Sequence, residues 1–410
     1  MYRMEEIMKD TSISEDIIYI GVDDKTIDLF ESQYIVPNGI SYNSYLIKDD
    51  KNVVLDTVDR RATEEWMQNL KQAIDGEKVD YLIVSHMEPD HAYNIGLLCD
   101  EYPDMKVVGN EKTFNFIKQF FDIEDLDSRK VVVKEGDILN FGKHSLQFFM
   151  APMVHWPEVM VSYEIKEKIL FPADGFGKFG TLDTDEDWTC EARRYYFNIV
   201  GKYGMQVQAL LKKLSGLEVK MICPLHGPIL KENLEYYINK YDIWSSYKPE
   251  DDGVFVACAS IHGNTLEAAK EMVKILEEKG AKKVAFADLV RDDFAESIED
   301  AFRYDKLIVA ASSYNAEVFP PMEHFLNHLK SKNYQKRKIG IIENGTWAPS
   351  AAKTMKSIID GMKEIDFCDN IVTIKSRMNV DSKKEMEKLA DEILNLSLIH
   401  ISEPTRPEPI

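Results

Sequence analysis

The sequence predicts an α/β protein in two parts, a mixed α/β sandwich followed by a doubly wound parallel sheet. Three observations carry that reading. Up to residue 244, short apolar runs of strand length are interrupted by helical patterns. Beyond residue 253, strands and helices alternate strictly. Between them SSYKPEDDG, Ser245 to Gly253, is polar and acidic and holds a proline and a glycine, the composition of an exposed boundary.

In the first part the expected strands are IIYIGV (17–22), NVVLDTV (52–58), YLIVSH (81–86), KVVVKEG (130–136), SLQFFMA (145–151) and KILFPA (168–173), with helical patterns around 62–75, 111–120 and 187–213. In the second, VFVACAS (254–260) precedes a helix from Leu266 to Glu278 that Gly280 should close as its C′ residue. KVAFADL (283–289), KLIVAASS (306–313), KIGIIEN (338–344) and NIVTIK (370–375) follow, each with a helical segment behind it. Five such β-α units predict a parallel sheet with its ligand at the carboxyl ends of the strands. There are no internal repeats.

The expected divisions are residues 1–249, 250–395 and a tail, 396–410, since 410 residues exceed one ordinary domain. The tail LSLIHISEPTRPEPI breaks the helical pattern of 382–395, and LSLIHISEPTR looks like translated adaptor sequence; the tail is expected to be non-native, which would leave the natural C-terminus unknown, or an ordinary disordered end. An apolar share of 44% with 30% charged residues is that of a globular protein with large cores. MYRMEEIMKD has no apolar core of a signal peptide, and no apolar run approaches the ~20 residues of a membrane span, so a cytoplasmic protein without a membrane partner is expected. A net charge of −21 would repel the phosphates of a nucleic acid and excludes it as a partner. Cys99, Cys190, Cys223, Cys258 and Cys368 are scattered with no C-x-x-C pair, which predicts neither a disulfide framework nor a Cys₄ metal domain.

The strongest local signal is His86-Met87-Glu88-Pro89-Asp90-His91, directly after the apolar run YLIVS. Four ligand-type side chains within six residues at the end of a buried strand would need mutual solvation without a metal. Alternate side chains of such a segment face the same way and can serve one metal pair. Three isolated candidates join them: His155 in MVHWPE, Asp174 after KILFPA and His226 in CPLHGP, each next to a strand end. Carboxylate and imidazole ligands with open positions suit redox-active iron, although affinity order alone does not exclude zinc or manganese.

This pattern resembles the metallo-β-lactamase fold, whose hydrolases carry H-x-H-x-D-H and bind two zinc ions. Glu88 stands where those enzymes have their second histidine, and the resulting H-x-E-x-D-H is similar to the flavodiiron proteins. The resemblance implies an αββα sandwich and a di-iron centre in which His86, Glu88 and His155 hold the iron nearer the flavin, Asp90, His91 and His226 hold the other, and Asp174 bridges both. Family motifs usually have a glycine two residues beyond the last histidine; here Tyr93 occupies that place and is expected to crowd or line the site.

The second part carries a matching signal. Ser260-Ile261-His262-Gly263-Asn264-Thr265 lies between its first strand and first helix, where hydroxyls and backbone N–H groups form an anion site. Ser312-Ser313-Tyr314-Asn315 follows the third strand and Asn344-Gly345-Thr346-Trp347 the fourth, so Tyr314 and Trp347 are placed to contact a flavin ring. These loops resemble the FMN site of flavodoxins, and no G-x-G-x-x-G at the strand ends points to a dinucleotide. The expected cofactors are thus two Fe ions and FMN.

The family resemblance implies reduction of O₂ to water, of NO to N₂O, or both, with electrons passed through FMN from an external carrier such as rubredoxin. It also implies a head-to-tail homodimer or dimer of dimers that brings one subunit's FMN beside the other's irons. The basic residues Lys330 and Lys332 through Lys336, Arg337 and Lys338 form either a steering patch for an acidic donor or a solvated loop. Two rival readings are a zinc-dependent hydrolase with an appended flavodoxin module and a non-catalytic redox sensor.

Overall fold

The computed structural model describes residues 10–394, so the tail at 396–410 lies outside the described residues. The chain divides into two compact units between Ser246 and Tyr247.

The first unit is built on two sheets. One has six strands in the order Ile17–Tyr19, Tyr45–Ile47, Val53–Leu55, Tyr81–Ile83, Lys106–Gly109, Lys130–Val132. The other has five, Ile138–Asn140, Ser145–Met150, Met160–Glu164, Ile169–Phe171 and Met221–Ile222. Ile47, Val53, Leu55, Ile83 and Val108 of the first pack with Leu146, Phe148, Met160, Ile169 and Phe171 of the second in one buried cluster, which makes the unit a sandwich. Helices Thr63–Ile74 and Glu111–Phe120 form where the sequence shows helical period. Asn110 starts the latter by accepting from the N–H groups of Lys112 and Thr113 at 3.0 and 3.2 Å. The helical region expected at 187–213 is broken: Trp188–Tyr195 gives way to a π turn, Tyr196–Val200, and a 3₁₀ turn before Gly204–Leu214.

The second unit has a parallel sheet ordered Val284–Asp288, Asp251–Ala259, Tyr304–Tyr314, Gln335–Asn344, Lys363–Phe367. Its fifth position is held by two pieces, since Val372–Ile374 continues the pairing on Ile342–Asn344 where Lys363–Phe367 stops at Ile339. A short strand, Glu317–Val318, pairs antiparallel on the end of the third. Val372–Ile374 is the expected fifth strand, whereas Lys363–Phe367 and Glu317–Val318 were not expected: KEIDF is mostly charged and partly exposed, and two residues carry no readable period. The three central strands are buried on both faces, as a parallel sheet covered by helices requires. Val254, Val256 and Cys258 pack towards Met272, Leu276, Met386 and Leu389 of helices Asn264–Glu278 and Val380–Leu394, whereas Phe255 meets Phe325 of Pro320–Ser331. Gly280, at φ +86, takes the expected C′ role: its N–H reaches Glu277 O, and that of Ala281 reaches Leu276 O.

Arg337 corrects the sequence reading of the basic run as a patch or a solvated loop. The run enters the strand Gln335–Asn344, and Arg337 is buried, donating to the carbonyls of Tyr304 at 2.7 Å and Tyr247 at 2.9 Å and also to Phe302 O. Strand alternation turns this cation inward, where only five donors in a fixed fork can satisfy several carbonyls at once. Among the described residues no helix is long and apolar enough to cross a membrane.

Candidate metal centre and flavin pocket

All seven ligand candidates of the first unit meet at one end of the sandwich. The strand Tyr81–Ile83, held between parallel neighbours, delivers His86 from its carboxyl end. Asp56, after the neighbouring strand, pins that exit by accepting from the N–H groups of Ser85 at 2.7 Å and His86 at 3.3 Å, and burial pushes its carboxyl up to about 6. Glu88 is the last extended residue before a single helical turn, Pro89–Ala92, which carries Asp90 and His91. Asp174 and His226 leave the parallel pair Ile169–Phe171 and Met221–Ile222, and His155 precedes Met160–Glu164.

The side chains form two groups. His86 Nε2 lies 3.2 Å from Glu88 Oε2, 3.3 Å from His155 Nε2 and 3.4 Å from Asp174 Oδ2. His155 Nε2 is 3.0 Å from both Glu88 Oε2 and Asp174 Oδ2. In the second group His91 Nε2 is 3.0 Å from His226 Nε2, 3.4 Å from Asp90 Oδ2 and 3.2 Å from Asp174 Oδ1. Asp174 thus gives one oxygen to each group.

The groups fit metal ions in three ways. Ligand atoms on bonds of about 2.1 Å stand about 3.0 Å apart at an octahedral angle and about 3.4 Å at a tetrahedral one, the range seen here. The outer ring nitrogens fix the tautomers: His86 Nδ1 is 2.8 Å from the buried Glu158 Oε1, and His226 Nδ1 donates to Ser41 O at 2.7 Å, so each neutral ring turns the lone pair of Nε2 inward. Both oxygens of Asp90 and Oδ1 of Asp174 are buried with no hydrogen-bond partner. The electrostatics agree. Burial opposes charge on His155, yet Asp174 and Glu88 overcome it and hold its pKa up at about 9. His86 is raised in the same way, against burial, by Asp174 and Glu158, and His91 by Asp90 and Asp174. Against the pull of burial, Glu88 is held below the usual carboxylate range by His155 and His86, and Asp174 by His86 and His91. Protons hold this cluster together where divalent ions can replace them.

Sequence reasoning missed the wall of the pocket. Phe30, Tyr195 and Tyr42 surround His226 at ring distances of 5.4, 5.6 and 6.0 Å, and Trp156 stands edge-on to His86 at 5.2 Å. It also missed Glu158, which accepts from Met87 N at 2.9 Å besides holding His86. A lone glutamate gives no sequence signal of burial. Tyr93 neither crowds nor lines the metal pocket: it is 48% exposed and borders a surface cleft with Met87, Pro89, Phe120 and Phe121, because the turn Pro89–Ala92 points it outward.

In the second unit the three predicted loops converge on a cavity of about 560 Å³. It is lined by Ser260, Ile261, His262, Asn264, Thr265, Ser312, Ser313, Tyr314, Asn315, Asn344, Gly345, Thr346 and Trp347, together with Ala316, Ala348, Ser350 and Ser376. Gly263 does not line it but shapes it: at φ +94 it caps the helix Asn264–Glu278, with no side chain bonded to the first N–H groups. Those groups and the paired hydroxyls of Thr265 and Ser312, 2.8 Å apart, suit a phosphate. Trp347, 90% exposed, and Tyr314, 45% exposed, have ring surface to offer a flat aromatic ligand. The residues present fit FMN.

An αββα sandwich of metallo-β-lactamase type with a two-group metal pocket, followed by a flavodoxin-like sheet with a mononucleotide cavity, defines the class. Residues 40–227 match the model of the ODP family beta lactamase. An uncharacterized protein of Methanocaldococcus jannaschii is 30% identical over 372 residues, 88% of this chain and 92% of that one. The anaerobic nitric oxide reductase flavorubredoxin of Klebsiella pneumoniae is 26% identical over 84% of this chain and 73% of its own length. A flavo di-iron protein structure from Thermotoga maritima superposes with a TM-score of 0.83 at 26% identity, covering 95% of this chain and 97% of that one. The chain belongs to the flavodiiron protein family, oxidoreductases that carry FMN and a di-iron centre.

Proposed function

We propose that the chain reduces O₂ to water, NO to N₂O, or both, at two irons held by His86, Glu88, His155, Asp90, His91, His226 and the shared Asp174. The observation that carries this reading is the division of Asp174's two oxygens between the two groups, which only a paired site uses. When bound, two ferrous ions and one reduced FMN supply four electrons, the number O₂ needs, while two NO need only two. The chain's own residues do the rest. Glu158 and Ser41 hold His86 and His226 in the tautomers that bind metal. The aromatic wall of Phe30, Tyr42 and Tyr195 keeps water from His226. The first N–H groups of Asn264–Glu278, which no side chain engages, would receive the FMN phosphate, and Tyr314 and Trp347 would offer their rings to the flavin.

FMN, when bound, would take electrons from an external carrier such as rubredoxin, and a head-to-tail homodimer or dimer of dimers would bring the cavity of one subunit beside the metal pocket of its partner. The name of the Klebsiella relative supports the NO branch. Among the described residues no disulfide joins the cysteines, which suits the reducing cytoplasm. Iron-loaded protein, reduced without air, should be given O₂ and NO in parallel electrode cells. Uptake of either supports the proposal; uptake of neither by protein holding two irons and FMN refutes it.

A further inference from the structure

We propose that a file of tyrosine and tryptophan side chains in the first unit carries oxidising equivalents from the metal pocket to the surface, protecting the ligands when electrons run short. The proposal rests on the oxygen-reducing reading above. Tyr195 starts the file, its ring 5.6 Å from that of His226. It is bonded through the backbone to Tyr196, whose ring is 5.5 Å from Trp244. Trp244 stacks on Trp188 at 5.8 Å and 16°, Trp188 meets Tyr237 at 4.7 Å, and Tyr237 meets Tyr236 at 5.5 Å. Trp244 is fully buried and Trp188 nearly so, whereas Tyr236 is 38% exposed.

Phenylalanine would pack such a wall equally well, and phenylalanines do flank it. The file itself consists only of phenols and indoles, the side chains that give up one electron most readily, and it is continuous from a metal-pocket histidine to solvent. Indoles pass charge as radical cations without releasing a proton, so the two buried tryptophans need no proton acceptor.

Dioxygen that takes more electrons than the flavin has delivered leaves the pocket one electron short. Trp244 gives one electron inward across the rings of Tyr196 and Tyr195, which only bridge the path and keep their protons, and Trp188 refills it; the net donor is Tyr236, reached across the ring of Tyr237, and its phenol proton passes to water. Its hydroxyl is already hydrogen-bonded to Thr189 Oγ1 at 2.5 Å. A thiol in solution then returns a hydrogen atom to the phenoxyl radical and is itself oxidised.

The test uses full-length protein with two irons and FMN, reduced by fewer electrons than its sites hold and then mixed with O₂. Uptake is followed at an electrode, radicals by freeze-quench EPR and oxidised residues by peptide mass spectrometry. The wild type should show a tyrosyl signal and oxidation at Tyr236. Trp188→Phe and Trp244→Phe should lose both, with oxidation moving to Tyr195 and His226, whereas Trp66→Phe, a buried tryptophan off the file, should match the wild type. Undiminished Tyr236 oxidation in both file variants overturns the proposal, as does wild-type protein that consumes O₂ yet shows no oxidised residue along the file. Absence of O₂ uptake overturns this proposal, while NO uptake by the same protein would leave the functional reading standing.

Discussion

Glu158 offers the sharpest test of how the metal pocket is held. Its Oε1 accepts from His86 Nδ1 at 2.8 Å and from Met87 N at 2.9 Å, and the side chain is buried, so one oxygen orients both a ligand and its backbone. Glu158→Gln keeps an oxygen there but removes its charge, and charge-assisted hydrogen bonds are about twice as strong as neutral ones. The new NH₂ must stand where Oε2 now lies buried without a partner, and an unsatisfied donor costs about 1–3 kcal/mol. Glu158→Ala removes both contacts and leaves the Nδ1–H of His86 orphaned. Outer partners of metal-bound histidines are worth roughly 10–100-fold in metal affinity, so Gln should fall near the lower bound and Ala near the upper, about 1.4 and 2.7 kcal/mol. The assay is anaerobic titration of apoprotein with Fe(II) against a chelating competitor, with circular dichroism and flavin content as controls. An alanine variant that keeps its fold and binds iron like the wild type would falsify the assignment of Glu158 as the residue that orients His86.

Three further outcomes are expected. Asp174→Ala should abolish O₂ and NO uptake while FMN stays bound, read by electrode and by flavin absorbance; loss of flavin would show that the two units do not function separately. Gly263→Ala forces a methyl group onto φ +94, a strain of roughly 1–2 kcal/mol, and should weaken FMN binding about tenfold in a fluorescence titration. The metal-free protein should melt lower as pH rises from 6.5 towards 9. His155 has its pKa raised on folding, so its imidazolium stabilises below 6.5 and that stability is lost as pH passes about 9. Over the same window iron should bind more tightly, because the protons it displaces are held less; a melting temperature flat with pH in apoprotein would contradict the account.

Much of this was legible in the sequence because the informative residues sit just after strands. A short apolar run that ends at His86 or just before Asp174 marks both a strand and the place where its side chains leave the core. The flavin loops were legible for the same reason, with Ser376 and Ser350 missed because they come from segments with no motif. What composition and period do not carry is the partner of a buried charge. Arg337 reads as one more basic residue in a basic run, and Glu158 as one more acid in an acidic chain. Only the folded path shows that one faces backbone carbonyls and the other a histidine. The aromatic wall was invisible for a related reason: Phe30, Tyr42, Tyr195 and His226 come from separate strands, a helix and a loop and meet only in the folded chain.

The shared carboxylate of Asp174 has a consequence for assembly. An ion held in either group would fix the carboxylate of Asp174, and with it the oxygen offered to the other seat. The two seats are thereby coupled through one side chain, so a change that reorients Asp174 for one ion alters the ligand the other meets.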